Sequence, residues 1–190
     1  MATVCVFAGS AAGSKPAYRD AAIALGAAIA ANGDRLVYGG AEVGLMGAVA
    51  NAALDGGAEV IGVIPESIAR LEVAHTMLTE LVVVASMHER KATMADLADA
   101  FVSLPGGFGT LDETFEALTW TQLGIQKKPV GLVNIDGYYD QLLTFLDNVT
   151  EQGFVRPVHR DMVLTEEDPA VLLDRLRLAS VPSDSKLVDR

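Results

Sequence analysis

A chain of 190 residues, 51% of them hydrophobic, is long enough to bury one core and short for two. Acidic residues outnumber basic ones 25 to 14, for a formal charge of −11, and no run of Lys or Arg exceeds two residues; nucleic acid and anionic membranes are therefore excluded as partners on electrostatic grounds. The opening residues lack a basic segment followed by a signal-type apolar run, and no apolar stretch reaches the roughly 20 residues that span a bilayer, so the expectation is a soluble cytoplasmic protein with a small-molecule ligand.

Short β-branched runs alternate with longer amphipathic ones. Strands are expected over 3–8, 35–38, 59–64, 81–85, 100–104, 129–133 and 162–165, and helices over 16–31, 45–55, 88–98, 110–123, 138–151 and 169–178. The single cysteine, Cys5, sits within the first strand and reads as a buried, inert thiol. Nearly continuous apolar strands separated by helices imply an α/β fold, a doubly wound parallel sheet with helices on both faces. Residues 1–180 read as one domain, and 181–190 as a flexible tail.

In such sheets ligands bind at the carboxyl ends of the strands. Glycines and polar residues collect there in four places: Gly9-Ser10; Tyr38-Gly39-Gly40 with Gly44-Leu45-Met46-Gly47; Ser86-Met87-His88-Glu89-Arg90-Lys91; and Pro105-Gly106-Gly107-Phe108-Gly109-Thr110-Leu111-Asp112-Glu113. Turn geometry alone explains any one of them, but four together predict a shared pocket. The fourth is the most informative, because an apolar run feeds a glycine turn that opens a helix. Glycines let backbone approach an anion closely, and free N–H groups at a helix start point at it. Glu113 does not suit a pure phosphate cup; its carboxylate points to chemistry on the group attached to the phosphate.

Familiar phosphate motifs do not apply. The stretch from Gly9 to Lys15 is one residue short of Walker A spacing, with Pro16 in place of the hydroxyl residue, and Gly107-Phe108-Gly109 meets Asp112 where the dinucleotide fingerprint needs a third glycine. NAD is excluded on that ground. His75, His88 and His159 are scattered, so neither a metal nor another cofactor is expected.

Arg90 and Lys91 stand at the start of an expected helix, where cations are disfavoured unless an anion is near. The bland reading makes them solvated charges with Glu89 as partner. Glu113, Glu116 and Thr119 or Trp120 share a helix face; Glu113, expected in the first turn, could owe its place to the helix dipole alone.

The stretch from Pro105 to Glu113 matches the PGGxGTxxE signature of the LOG ("lonely guy") family, and Met87-His88-Glu89-Arg90-Lys91 resembles its second signature. The resemblance also takes in Tyr38-Gly39-Gly40, Gly44-Leu45-Met46-Gly47 and the segment from Leu118 to Gly124. It implies a Rossmann-like homodimer that hydrolyses cytokinin riboside 5′-monophosphates, with AMP or an N6-substituted AMP as substrate, in a family long mislabelled as lysine decarboxylases. Arg90 and Glu113 would be the catalytic pair. Gly107, Phe108, Gly109, Thr110, Leu111 and Asp112 would hold phosphate and ribose together with Lys91, and Thr119 and Glu72 would complete the pocket. Residues 69–77, around Glu72, depart from the family pattern. Gly9, Ser10, Gly39, Gly40 and Met87 are further pocket candidates.

Cleaving the bond between a base and ribose C1′ leaves the sugar oxocarbenium-like while electrons move onto the base. Glu113 could stabilise the cation or activate water; the sequence leaves both open. Arg90, permanently protonated, suits an electrostatic clamp. Two rivals remain. One is a nucleotide carrier on the same fold that does not hydrolyse its ligand. The other is a pyridoxal-phosphate decarboxylase, which needs a Schiff-base lysine from among Lys15, Lys91, Lys127, Lys128 and Lys186.

Overall fold

The computed structural model describes residues 1–69 and 74–181. Seven strands, β1 (Thr3–Phe7), β2 (Arg35–Tyr38), β3 (Val60–Pro65), β4 (Glu80–Val84), β5 (Ala100–Ser103), β6 (Val130–Val133) and β7 (Val163–Glu166), form one sheet. Its order is β4-β3-β2-β1-β5-β6-β7, and every pairing is parallel. The helices are α1 (Pro16–Ala31), α2 (Gly44–Asp55), α3 (Glu66–Ala69), α4 (Met87–Leu97), α5 (Phe108–Gln122), α6 (Asp140–Glu151), α7 (Pro157–Arg160) and α8 (Pro169–Leu178).

Both faces of the sheet are covered, which is why its central strands alternate apolar with apolar. Val4 and Val6 of β1 pack with Leu25 and Ile29 of α1, Val49 of α2 and Leu172 of α8. Cys5 and Phe7 face the other way, against Met94 of α4 and Ala117 of α5, and Phe7 stacks on Phe101 at 5.7 Å. Burial raises the Cys5 thiol pKa well above its ordinary range, in keeping with an inert side chain. Strands run outward from β1 to β4, then the chain returns to lay β5 on the other side of β1. The loops after β1 and β5 therefore diverge, and that crevice is where such sheets take ligands.

Local chemistry sets the element ends. Pro16 opens α1, and Gly33, at φ +67°, turns the chain after it. Ser86 Oγ accepts from the Glu89 N–H at 3.1 Å while Glu89 Oε2 accepts from Ala85 N–H at 2.8 Å, so α4 starts at Met87, a residue before the sequence expectation. Glu89 is thereby a capping residue rather than the partner of Arg90 or Lys91. After β6 the expected helix from 138 starts only at Asp140, because Asn134 Oδ1 accepts from Tyr139 N–H at 2.7 Å and Asp136 adopts φ +52° in a preceding 3-10 turn. That turn and the four-residue helices α3 and α7 carry no periodicity that a sequence pattern could register.

Candidate active site

Backbone and side-chain bonds tie the four strand-end motifs together at the carboxyl edge of the sheet. Gly9 N–H donates to the Pro105 carbonyl at 3.1 Å, and Leu45 N–H to the Gly9 carbonyl at 3.0 Å. Arg90, on α4, reaches the turn after β2 and donates from Nη2 to the Gly39 carbonyl at 3.3 Å. A Cβ at position 39 would lie 2.0 Å from that nitrogen, so glycine is what admits the guanidinium. His75, itself buried, braces the same turn: its N–H donates to the Gly40 carbonyl at 3.0 Å and its ring is held by Asn51 at 2.9 Å.

At the start of α5 the N-cap is Gly107, which offers no capping side chain, and the first closing bond runs from Leu111 N–H to the Gly107 carbonyl at 3.1 Å. Helix geometry thus leaves the N–H groups of Phe108, Gly109 and Thr110 without an acceptor in the preceding turn. Gly107 has φ −92°, open to any residue, and a Cβ at 107 or 109 would meet nothing within 4 Å. Neither a positive φ nor packing calls for glycine at these two positions, and the absence of side chains leaves the backbone N–H groups open to approach. The cradle is rigidly backed. Thr114 donates to the Thr110 carbonyl at 2.6 Å and pairs with Ser103 at 2.7 Å, fastening α5 to β5. From the β6 side, the Tyr139 hydroxyl donates to the Leu104 carbonyl at 2.7 Å and the Tyr138 hydroxyl to the Gly106 carbonyl at 2.5 Å.

Beside this cradle Arg90 Nη2 stands 3.9 Å from Glu113 Oε1, with side chains 8% and 12% exposed. Burial pushes the Glu113 carboxyl from 4.5 to about 7, and Asp112 and Glu116 add to the rise, while Arg90 and Lys91 oppose it. Arg90 is under-satisfied. Its Nε is buried with no hydrogen-bond partner among the described residues, and Nη1 reaches only Met87 Sδ at 3.8 Å. A five-donor guanidinium with a single close carbonyl is poised for an acceptor-rich anion.

Lys91 is differently engaged. Its ammonium lies 3.1 Å from Asp112 Oδ2 and 3.1 Å from Glu116 Oε2. Burial lowers its pKa, but the hydrogen bonds and charges of those two carboxylates outweigh it, and the net shift is upward. Lys91, Glu113, Glu116 and Trp120 line one narrow crevice between α4 and α5, backed by Phe7 and Phe101.

A family model described as possible lysine decarboxylase matches residues 46–176. A probable cytokinin riboside 5′-monophosphate phosphoribohydrolase, LOGL2 from Oryza sativa subsp. japonica, is 48% identical over 98% of this chain and 76% of its own length. The cytokinin riboside 5′-monophosphate phosphoribohydrolase LOG1 from Arabidopsis thaliana is 46% identical over 98% of this chain and 87% of its own. The chain belongs to the LOG family. Among solved structures, the molybdenum cofactor binding protein from Rippkaea orientalis superposes with a TM-score of 0.71 at 23% identity, covering 93% of this chain and 96% of that one, a likeness of fold.

Within this LOG chain, Arg90, Met87, Gly39, Gly9 and the stretch from Gly107 to Glu113 gather at one end of the sheet. Glu113 is not in the first turn, as the sequence led one to expect: α5 begins at Phe108, two residues early, so burial, opposed by Arg90, governs this carboxyl rather than the helix terminus. Asp112 is 64% exposed and spends its charge on Lys91. Thr119 lies apart. It is six positions beyond Glu113, about 9 Å along the helix axis, bonds its own helix at the Phe115 carbonyl (2.6 Å) and lines a groove with Gln122, Leu146 and His159. Of the two residues that shared the expected face, Trp120 is the one beside Glu113. Glu72 lies outside the described residues.

Among the described residues no lysine fits the decarboxylase description of the family model, and Lys186 lies outside them. A Schiff-base lysine needs a depressed pKa, whereas that of Lys91 is raised. Lys128 donates to the Ala95 carbonyl at 2.6 Å, Lys15 pairs with Asp136 at 3.3 Å, and Lys127 lines a cavity at the far end of the sheet with Ala2 and Asp99. Sequence reading missed Tyr138 and Tyr139. The available signal was their place after β6, the strand next to β5.

Proposed function

We propose that this chain is a phosphoribohydrolase that cleaves the N-glycosidic bond of adenosine 5′-monophosphates, those with an N6 substituent included, releasing the cytokinin base and ribose 5-phosphate. The observation that carries the proposal is the buried Arg90–Glu113 pair, 3.9 Å apart, beside a glycine turn whose backbone lies open. The names of relatives at 46% and 48% identity support the same reaction.

The 5′-phosphate docks on the free N–H groups from Phe108 to Thr110, where the helix dipole favours negative charge. Its binding energy is remote from the reacting bond and is spent on holding C1′ against Glu113. Departure of the base leaves positive charge on the sugar, which the Glu113 carboxylate stabilises, or meets by drawing a proton from the attacking water. Arg90 uses its unspent donors to clamp the anionic partner. The low exposure of both side chains strengthens each interaction by excluding water.

The working unit in this proposal is a cytoplasmic homodimer, because Thr119 faces the groove lined by Gln122, Leu146 and His159 rather than the crevice of Glu113, and a second copy would let it reach a site. Residues 1–180 act as its single domain. No described helix is long and apolar enough to cross a membrane.

A panel of purine nucleoside monophosphates, scored by free base and ribose 5-phosphate released, tests the reading. Hydrolysis of monophosphates but not nucleosides is expected. Glu113→Gln should bind nucleotide and lose turnover by about 10²–10⁴. Nucleotide binding without base release would make the protein a carrier.

A further inference from the structure

The crevice between α4 and α5 holds an ammonium with two carboxylates on it and a third beside it. Exposure falls from 64% at Asp112 to 27% at Glu116 and 14% at Lys91, so the Glu116–Lys91 pair is the less screened of the two contacts at equal distance. Among the described residues the charged groups facing Glu113 are Arg90 and Lys91 from α4 and Asp112 and Glu116 from α5; the Cys5 thiol on β1 is held neutral by burial. Lys91 favours loss of the Glu113 proton, and Glu116 opposes it both through its own charge and by occupying Lys91.

We propose that Glu116 is a positioning residue of the hydrolytic site: it fixes the Lys91 ammonium in the α4–α5 crevice as a partly neutralised counter-charge to Glu113. The proposal deepens the hydrolase reading and rests on it for meaning, yet its main test needs no turnover. Without Glu116, Lys91 keeps only the exposed Asp112 as a carboxylate partner, so more of its charge is felt by Glu113 and Glu113 ionises at lower pH.

Trp120 is the chain's only tryptophan and lines the same crevice, so its emission reports the charge state there. Ligand-free protein is followed from about pH 5 to pH 9. The wild type should show a transition centred near pH 7 that vanishes in Glu113→Gln. In Glu116→Gln, isosteric and partly exposed, the midpoint should fall by about 0.5–1 pH unit. Asp112→Asn should move it less. On a Lys91→Met background, Glu116→Gln should shift the midpoint by less than half its effect in the wild type, which isolates the route through Lys91. Circular dichroism melts confirm that each variant is folded, and the acid limb of kcat/KM should move with the fluorescence midpoint. A midpoint unmoved by Glu116→Gln, a shift of equal size with and without Lys91, or a transition that survives Glu113→Gln overturns the proposal. Should the wild type release no base, the hydrolase reading fails while the titration still decides this one.

Discussion

Replacing Glu113 by glutamine should make the protein more stable while it destroys activity, and the gain should depend on pH. A carboxyl moved from 4.5 to about 7 by folding costs on the order of 3 kcal/mol once ionised, at 1.36 kcal/mol per tenfold change in proton affinity. With 12% of the side chain exposed, little of that is lost to solvent screening. The sign follows from proton counting. Between the unfolded value near 4.5 and the folded value near 7 the native state binds more protons, so stability falls as pH rises through that window and the full penalty stands above it. Glutamine keeps the shape and never ionises. At pH 8.5 the variant should melt about 5–10 °C above wild type, for a domain of this size, and at pH 4 the two should agree within about 1 °C. Differential scanning calorimetry across that range reads both ends. Equal melting differences at all pH values, or a variant less stable at pH 8.5, would refute the claim that burial rather than the ion pair with Arg90 governs Glu113.

Because the reaction uses the carboxylate, kcat/KM should rise with pH through about 7 and then level off; a profile that falls over this interval would instead make Glu113 a proton donor. Gly109→Ala should leave the ligand-free protein within about 1 kcal/mol of wild type, since its Cβ meets nothing within 4 Å, yet weaken nucleotide monophosphate binding at least about tenfold by calorimetric titration as the methyl crowds the phosphate. Arg90→Lys should lose turnover by about 10² or more despite keeping the charge, because one ammonium can stand in for Nη2 beside Gly39 and Glu113 but not for the remaining guanidinium donors, among them the buried and unpartnered Nε; stopped assays of base release check it.

Much of the fold was legible because its signals are local. The β-branched runs marked all seven strands to within two residues, and β2, α1 and α8 have the bounds expected of them. Proline at their first positions defines the starts of α1 and α8. Of the helices missed or misbounded, α3 and α7 are single turns too short for a period to show, α6 starts two residues late behind the Asn134 bond to Tyr139, and α5 starts two residues early at a glycine N-cap without a capping side chain.

Strand alternation, the glycine-rich strand ends and the two signatures are properties of residue order, so the chain alone determined the doubly wound sheet, its ligand-binding edge and the pairing of Arg90 with Glu113 as candidates. Burial and distance are not properties of residue order. Only the packed molecule decided that Glu113 is dry enough to hold a proton near neutrality, that Lys91 is tied down by Asp112 and Glu116, and that Thr119 faces a different groove. It also set Tyr138 and Tyr139 against the loop after β5. The reason is electrostatic. What a carboxylate or an ammonium can do depends on how much water surrounds it and which charges stand within a few ångströms, and both are fixed by residues distant along the chain.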